Sequence, residues 1–196
     1  MQKIIIATKN KGKTKEFQSM LTDLKISSIN LLELAGVAEP IETGSSFIDN
    51  AILKATYYAN IYNANCLADD SGLVVESLNG EPGIYSARYA GEHSNDLANN
   101  NLLLKNLQGV TNRKCKFVCA LALVSPNGKI LAQATGECFG QILHAPIGTE
   151  GFGYDPLFYS EEIKKTLAQA SMQEKNSISH RAKALSILKN KLLSFS

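Results

Sequence analysis

The sequence predicts a mixed α/β fold, and three observations indicate it. A short β-branched run at residues 3–7 is typical of a buried strand, and a polar turn containing Gly12 separates this run from an amphipathic helix. Residues 117–135 hold the clearest hairpin pattern of the chain, with two apolar runs joined at residues 126–128. The third observation is a series of further helical patterns along the chain. Because a hairpin is antiparallel and a strand–turn–helix unit need not be, we expect a mixed sheet.

Local patterns place the elements in order, since apolar periodicity distinguishes helices from strands and serine or asparagine commonly caps a helix. The expected elements are a strand at residues 3–7, a helix at 13–24, a strand at 26–32, a helix capped by Ser45 or Ser46 and ending near Tyr62, a strand resuming at 73–75, a helix from Ser94 or Asn95 to Leu107, the hairpin at 117–125 and 129–135, and a last helix capped by Ser179. Residues 136–153 are expected to be irregular.

Length, composition and net charge limit the kinds of protein that this chain is expected to be. With 196 residues, 44% of them hydrophobic and 19% charged, the chain is expected to form a single globular domain over residues 1–196. A net charge of +2 is too small for a broad contact with DNA or RNA, and no apolar stretch approaches the ~18 residues of a membrane span. The four cysteines form no C-x-x-C pair, which favours free thiols over a disulfide. We therefore expect a cytoplasmic protein that binds neither nucleic acid nor a membrane.

The lysine-rich turn at residues 8–16 is the first candidate for chemistry. A helix N-terminus presents free N–H groups and the positive end of the helix dipole, which suit phosphate. The residues expected to contact phosphates here are Thr8, Lys9, Asn10, Lys11, Gly12 and Lys13. The spacing is not that of a Walker A loop, and a solvated surface turn is an equally weighted alternative.

The tetrapeptide Asp69-Asp70-Ser71-Gly72, between two apolar runs, is the second candidate. Because successive strand residues point to opposite faces, only one of the two carboxylates is expected to serve a given site. Carboxylate oxygens suit Mg²⁺, which takes one or two of them and leaves its other positions to phosphate and water. The alternative is an Asx-type turn, which this tetrapeptide would also suit.

An aromatic turn is the third candidate. Phe152 lies between two glycines, so one ring face could stay free to stack on a base, with Gly153, Tyr154 and Asp155 beside it. The alternative is a packed aromatic turn that ends at Pro156.

Basic side chains form the last group. Lys175, His180 and Arg181 could donate to the carbonyl oxygens and ring nitrogens of a base, or could be ordinary surface residues. Lys54 could be an exposed member of a salt bridge with Glu42 or Asp49.

Six segments that span nearly the whole chain occur in a characteristic order. They are T-x-N-x-x-K-x-x-E (8–16), F-I-D-N-A-I-L-K-A (47–55), L-A-D-D-S-G-L (67–73), P-G-I-Y-S-A-R-Y-A-G (82–91), G-F-G-Y-D-P-L-F (151–158) and S-H-R-A-K-A-L (179–185). Together they resemble the inosine triphosphate pyrophosphatase family, also called the Ham1 or RdgB-like family. The resemblance implies a homodimer, two lobes around a long curved mixed sheet with the nucleotide between them, and Mg²⁺-dependent hydrolysis of ITP, dITP and XTP to the monophosphate and pyrophosphate.

The resemblance also implies roles for individual residues. Residues 8–13 would hold the triphosphate, and Lys54 would lie near the phosphates. Asp70 would accept a proton from the attacking water and contact the metal, and Ser71 would contact substrate. Residues 152–155 would enclose the base and sugar, and the base would be read by Lys175, His180 and Arg181. The catalytic set is therefore expected to be Asp70, Lys13 and Lys54.

One position departs from the family pattern. Members commonly carry an acidic residue three positions before the glycine that is Gly44 here, and this chain has Ile41 at that position. We therefore expect Glu42 to be the second metal ligand beside Asp70. Two other functions stay open, namely a Maf-like nucleotide pyrophosphatase that acts on different bases and a nucleotide-binding sensor without turnover.

Overall fold

The computed structural model describes residues 4–23, 26–34, 36–92 and 95–193, and within these ranges it contains a seven-stranded sheet and five α-helices. The strands are β1 (Ile4–Ile6), β2 (Ser28–Asn30), β3 (Cys66–Val75), β4 (Lys114–Val124), β5 (Ile130–Ile142), β6 (Phe158–Ser160) and β7 (Lys165–Thr166). The helices are α1 (Lys11–Asp23), α2 (Phe47–Tyr62), α3 (Asp96–Asn106), α4 (Met172–Ile178) and α5 (His180–Leu193).

The sheet is mixed, which confirms the predicted fold class. Its strand order is β2-β1-β3-β4-β5-β6-β7. In β1, Ile5 lies opposite Ile29 and Cys66 on two parallel neighbours, as expected when helices connect successive strands. The β5–β6 and β6–β7 pairs are antiparallel. Adjacent strands β4 and β5 are joined by a tight turn in which the Ser125 N–H donates to the Lys129 carbonyl, so the expected hairpin is present.

One compact unit comprises residues 1–70, 119–136 and 181–196, as far as they are described. Alternate residues of β4 belong to two separate apolar clusters, as the two-residue period of a strand requires. Cys119 and Leu121 pack with Phe17 of α1 and Leu185 of α5. Ala120 and every second residue after it in β4 pack instead with residues of α2. Helices therefore cover both faces of this part of the sheet.

The other compact unit comprises residues 71–118 and 137–180, as far as they are described. Its apolar cluster joins β3, α3, β4, β5 and the chain from Tyr154 to Leu167, and the Phe117 and Phe158 rings lie 4.7 Å apart. Gly140 is needed where β5 meets β6, because a Cβ there would overlap the Tyr159 carbonyl and the Phe158 ring.

Strand β5 extends well beyond the predicted hairpin. Residues 136–153 were expected to be irregular, and this prediction is wrong for residues 136–142, which continue β5 and pair with β6 through Gln141 and Ile142. Glycine is depleted in strands, and residues 136–142 contain two glycines. Pairing with a distant strand, which no local pattern reveals, overrides that signal.

Strand β3 runs without interruption through the two aspartates. The alternative of an Asx-type turn at residues 69–72 is therefore wrong, because the backbone there is hydrogen-bonded strand. The predicted strand at 26–32 is shorter than expected: after β2, the Asn30 side chain accepts from Leu32 N–H and starts a 3-10 helix at Leu31–Glu33.

The predicted helix starts are mostly confirmed. Ser46 caps α2 by accepting from Asp49 N–H at 3.2 Å, and Asn95 caps α3 by accepting from Ala98 N–H at 3.0 Å. Helix α1 begins at Lys11, two residues earlier than expected. The predicted cap Ser94 and helix end Leu24 lie outside the described residues.

The chain contains a short helix that was not predicted. Helix α4 begins at a capping box in which Ser171 and Glu174 satisfy each other's backbone N–H groups. Ser179, expected to cap the last helix, lies between α4 and α5 with an extended backbone and donates its N–H to the Lys175 carbonyl.

The four cysteines are free and buried, as predicted. Burial raises the pKa of the Cys66 thiol to about 12. In the described part of the chain, no helix combines the length and the apolar character needed to cross a membrane.

Candidate active site

The turn between β1 and α1 is shaped by its own polar side chains. The Asn10 side chain accepts from Lys13 N–H at 3.0 Å, and the Thr8 hydroxyl accepts from Asn10 N–H at 3.3 Å. Asn10 therefore acts as a helix cap and leaves the other N–H groups of the first turn available. Gly12 lies within this first turn, because α1 begins at Lys11.

The lysines of this turn differ in their surroundings. Lys9 is exposed, donates to the Val37 carbonyl at 2.8 Å and lies 3.9 Å from a Glu39 oxygen. Lys11 is also exposed. Lys13 has a side chain only 16% exposed and contacts Asp69, so it is directed inward. The prediction of a solvated turn thus fits Lys9 and Lys11, and Lys13 is the exception.

Asp69 lies within a buried group of positive charges. Its side chain is 1% exposed, and its Oδ2 lies 2.8 Å from Lys13 Nζ and 4.0 Å from Arg181 Nε. Burial alone would raise the pKa of this carboxyl. The attraction of Lys13, Arg181 and Lys54 outweighs burial and holds the pKa well below its usual range. The surroundings of Asp69 therefore favour its ionised form.

Arg181 connects the start of α5 to α1. Its guanidinium donates to the Glu16 carboxylate, and both side chains are almost fully buried. Burial disfavours the charged guanidinium, but Glu16 and Asp69 raise the pKa of Arg181 above its ordinary value. Glu16 lies one helical turn after Lys13, so α1 presents both ends of a buried network of two cations and two anions.

Asp70 faces a different set of groups, as the alternation of a strand requires. Its Oδ2 accepts from Asn50 Nδ2 at 3.1 Å, and its Oδ1 lies 3.8 Å from Lys54 Nζ. Asn50 and Lys54 are one turn apart on α2 and thus share a face. Burial raises the pKa of the Asp70 carboxyl, Lys54 and Lys13 oppose that effect, and Glu42 reinforces it.

Glu42 approaches the same lysine. Its Oε1 lies 2.6 Å from Lys54 Nζ, whereas Ile41 is 82% exposed. Lys54 is 15% exposed, so it is not the exposed surface residue of the alternative interpretation. Burial disfavours its charge, but Asp70, Asp69 and Glu42 outweigh burial and raise the pKa of Lys54.

Asn50 was not singled out from the sequence. It is fully buried, and its side chain joins Asp70 to the Gly44 N–H, which donates to Asn50 Oδ1 at 2.8 Å. A Cβ at Gly44 would overlap this side chain. The signals available in the sequence were an asparagine one turn before Lys54 and a glycine just before the helix, but neither identifies a partner 20 residues away.

In the second unit, the Gly151–Asp155 loop holds Phe152 beside Lys175. Asp155 Oδ2 accepts from Phe152 N–H at 2.9 Å and from Lys175 Nζ at 2.6 Å, and Lys175 Nζ lies 4.7 Å from the centre of the Phe152 ring. A Cβ at Gly151 would overlap the Asp155 carboxylate. The loop therefore fixes an aromatic ring next to a buried ammonium group.

The other residues predicted for base contact have packing partners of their own. Tyr154 is buried and donates from its hydroxyl to the Ser86 carbonyl at 2.9 Å. The His180 ring is 3% exposed and stacks on Phe117 with centroids 4.9 Å apart. Ser71 is half-buried in β3. Contacts of these residues with a substrate stay predictions.

Within each unit, residues that are distant in sequence come together. In the first unit the side chains of Lys13, Glu16, Asp69 and Arg181 form one set of contacting charged groups, and those of Glu42, Asn50, Lys54 and Asp70 form a second set. In the second unit Phe152, Asp155 and Lys175 form another. Arg181 belongs to the first set, beside Lys13, although it was predicted together with Lys175 and His180.

The chain is similar to proteins of one known family over nearly its whole length. The model of the Ham1 family matches residues 4–191. A protein of Exiguobacterium sp. named dITP/XTP pyrophosphatase is 48% identical over 193 residues, which cover 98% of each chain. A protein of the same name from Desulfotalea psychrophila is 47% identical over 186 residues, 95% of this chain and 83% of the relative.

Solved structures agree in fold. The Staphylococcus aureus Ham1 protein matches with a TM-score of 0.87 at 42% identity, and a HAM1 protein from Coxiella burnetii with a TM-score of 0.88 at 39% identity. Both matches cover the whole of each chain. With a family match over nearly its full length and relatives close to half identical, this chain belongs to the Ham1 family.

Proposed function

We propose that this protein is a nucleoside triphosphate pyrophosphatase that hydrolyses non-standard purine nucleoside triphosphates (dITP, XTP and ITP) to the monophosphate and pyrophosphate. The observation that carries the proposal is the Asp70 carboxylate, which is buried beside Lys54 and held by Asn50 in a family whose named relatives are dITP/XTP pyrophosphatases. Removal of these deaminated purines would cleanse the nucleotide pool.

The first unit supplies the groups that the triphosphate would need. The free N–H groups at the start of α1, together with Thr8, Asn10 and Lys13, would bind phosphate oxygens. Lys9, Lys11 and Gly12 lie in the same turn and would add charge and close backbone approach. Lys54 and Lys13 would offset the negative charge that grows on the leaving pyrophosphate.

Asp70 is our candidate for the group that accepts a proton from the attacking water. The water would attack the α-phosphorus, and pyrophosphate would leave on the opposite side. A carboxyl whose pKa is raised by burial is a stronger base than an ordinary aspartate, and Asn50 fixes its orientation. Asp69, with its lowered pKa, would instead hold Lys13 in position.

The residues around Lys54 fit the Mg²⁺ that we propose as cofactor. Glu42 and Asp70 direct two carboxylates toward one positive group, and Mg²⁺ in phosphate chemistry takes one or two carboxylates. The described residues include no cluster of three or more His, Cys, Asp or Glu side chains suited to a metal, so phosphate and water would complete the coordination. When bound, Mg²⁺ would neutralise phosphate charge and lower the pKa of water.

The second unit supplies groups suited to a purine. The Phe152 ring would stack on the base, and Gly153, Tyr154 and Asp155 would line the sugar and base. Lys175 Nζ lies near that ring and would donate to the carbonyl at C6 of hypoxanthine or xanthine. The amino group of adenine would leave this donor unpaired, which disfavours ATP. His180, Arg181 and Ser71 are further proposed substrate contacts.

Three broader properties belong to the same proposal. We propose a homodimer, as the family resemblance implies, which light scattering would test. We propose that residues 1–196 act as a single catalytic domain, supported by the family match to residues 4–191. We propose cytoplasmic location without nucleic-acid or membrane partners, supported by the free buried thiols and the net charge of +2.

A rate panel tests the activity. Pyrophosphate release from ITP, dITP, XTP, GTP and ATP would be measured with Mg²⁺ for the wild type and for Asp70→Asn. We expect efficient turnover of the first three substrates, and for Asp70→Asn a turnover lower by orders of magnitude with ITP binding retained. Binding of ITP by the wild type without pyrophosphate release would favour the sensor function, and a preference for other bases would favour a Maf-like activity.

The metal proposal has its own matched pair of variants. Glu42→Gln should raise the Mg²⁺ concentration that gives half-maximal turnover, because one carboxylate is lost. Glu39→Gln removes the same charge from an exposed residue beside Lys9 and should leave that concentration unchanged. Equal Mg²⁺ dependence in both variants would remove Glu42 from the proposed metal site.

A further inference from the structure

Two side chains of helix α3 form hydrogen bonds with the backbone of one residue, Gly153, in the proposed base-binding loop. The Gly153 N–H donates to Asp96 Oδ2 at 2.7 Å, and the Gly153 carbonyl accepts from Asn100 Nδ2 at 3.0 Å. Both polar groups of this one peptide residue are therefore held by side chains from the same helix. Gly153 has a φ of 63°, a conformation that glycine adopts without strain.

The spacing of the two side chains along α3 allows both hydrogen bonds to reach Gly153. Asp96 and Asn100 are four residues apart and so lie on one face of the helix. Asn95 caps the helix with its side chain, which leaves the Asp96 carboxylate available for the loop. Neither Asp96 nor Asn100 belongs to the residues assigned above to substrate or metal.

The hydrogen bonds from α3 add to other hydrogen bonds that hold this loop. Phe152 is held through its N–H by Asp155, Tyr154 through its hydroxyl by Ser86, and Gly153 by α3. Three successive residues are thus fixed by three different parts of the unit. With the loop held in this way, Lys175 Nζ lies 4.7 Å from the centre of the Phe152 ring.

We propose that Asp96 and Asn100 are positioning residues that set the base selectivity of this protein through Gly153. This inference rests on the proposed function. Stacking on an aromatic ring is tolerant of base identity, because every base has a π-face. Selectivity must therefore come from the alignment of the base edge with polar groups, and small misplacements of a bound substrate are costly. Release of Gly153 would keep the stacking and relax the alignment.

This division of roles predicts which kinetic constants change when Gly153 is released. The phosphate-binding and proton-accepting residues belong to other elements, so kcat should change little. KM for ITP should rise, while the weaker binding of GTP and ATP, which gain less from the alignment, should change less. A merely structural effect would instead lower the melting temperature and reduce activity on all triphosphates together.

Two adjacent asparagines give a matched test. Asn100→Asp replaces the donor to the Gly153 carbonyl with an acceptor of the same shape. Its other oxygen gains nothing, because Asn100 Oδ1 has no hydrogen-bond partner among the described residues. Asn101→Asp makes the same chemical change at the next, exposed position. Asn100→Leu removes the donor without adding charge.

For Asn100→Asp and Asn100→Leu we expect KM for ITP to rise about tenfold, kcat to stay within about twofold, and the ratio of kcat/KM for ITP over GTP to fall about fivefold, the size of one lost hydrogen bond. Asn101→Asp should match the wild type. Asp96→Asn, which keeps an acceptor for the Gly153 N–H, should retain more selectivity than Asp96→Ala.

Calorimetric binding of ITP in EDTA distinguishes failure of the positioning role from failure of the proposed function. If the wild type hydrolyses or binds ITP but Asn100→Asp and Asn101→Asp give the same KM, ratio and Kd, the positioning role is overturned and the proposed function stands. If the wild type neither hydrolyses nor binds ITP, the proposed function and the positioning role both fall. A uniform loss on all triphosphates with a lowered melting temperature assigns α3 a structural role only and also overturns the inference.

Discussion

Lys13 Nζ lies 2.8 Å from Asp69 Oδ2 in a contact where the aspartate side chain is 1% exposed. The neighbouring Asp70 faces Asn50 and Lys54 instead. Two adjacent carboxylates on one strand thus have opposite electrostatic situations: the pKa of Asp69 is lowered and that of Asp70 is raised. Isosteric substitution of each should therefore have opposite effects on the free energy of unfolding.

Asp69→Asn is expected to destabilise the protein. The variant leaves the positive charges of Lys13 and Arg181 without one of their buried partners, and breaking a buried pair costs roughly 3 kcal/mol. For a chain of this size that loss corresponds to a fall in melting temperature of about 6–12 °C. Urea unfolding in EDTA near pH 7 measures it, and an unchanged midpoint would contradict the assignment of Asp69 as a structural charge.

Asp70→Asn is expected to leave stability unchanged or higher under the same conditions. A carboxyl whose folded-state pKa is raised disfavours folding once the pH exceeds its unfolded value, so neutralising it removes a cost. Lys54 keeps Glu42 as its partner in this variant. The measurement is the difference between the two variants at equal pH, and a loss for Asp70→Asn as large as that for Asp69→Asn would contradict it.

The sequence revealed the strand–turn–helix start and the hairpin because both are encoded by adjacent residues. It also predicts that Lys13, Lys54 and Asp70 are catalytic and that Glu42 is a metal ligand, and these roles stay predictions. What it could not reveal are partners chosen by the tertiary fold. Glu16 and Arg181 are separated by 165 positions, and no spacing rule relates them.

The same limit explains the structural errors. Residues 136–153 were expected to be irregular, but Gly140 lies in β5, where β6 approaches the backbone too closely for a Cβ. The Asp-Asp-Ser-Gly segment suggested a turn, but its carboxylates contact side chains of α1, α2 and α5 while its backbone stays in β3. Local polarity cannot distinguish a solvated turn from a strand whose charges are neutralised by distant residues.

Glu174 should make the stability depend on pH in the acidic range. A hydrogen bond from Lys165, followed by the Ser171 backbone and side chain, lowers the pKa of Glu174 to about 2 from an ordinary 4.5. A lowered carboxyl pKa contributes stability that is present above the unfolded value and is lost as the pH falls toward the folded one.

The comparison is between the wild type and Glu174→Gln, with urea midpoints measured from pH 6.5 down to about pH 3.5. The wild type should be more stable at pH 6.5, and the difference should shrink steadily below about pH 5. Glu150→Gln, at an exposed position, is the control for the loss of one charge. A difference that stays constant over the whole range would show that Glu174 acts only through packing.

Arg113 is a buried cation that joins α3 to β5 through backbone carbonyls. It is 8% exposed and donates to the carbonyls of Leu107, Ile142 and Leu143 at 3.1, 2.6 and 2.9 Å. Leu107 is the C-cap residue directly after α3, so the guanidinium satisfies an acceptor that the helix end leaves open.

Arg113→Met is therefore expected to destabilise the protein by about 3 kcal/mol, because three carbonyls lose their donor and each lost hydrogen bond in a buried place costs about 1 kcal/mol or more. Arg113→Lys should recover only part of this loss, since a single ammonium cannot reproduce the planar fork of donors. Lys114→Met, at the adjacent exposed residue, is the matched control and should change the urea midpoint little. If Arg113→Met and Lys114→Met unfold at the same urea concentration, the three hydrogen bonds do not hold α3 and β5 together, and apolar packing of Leu103 and Leu107 must suffice.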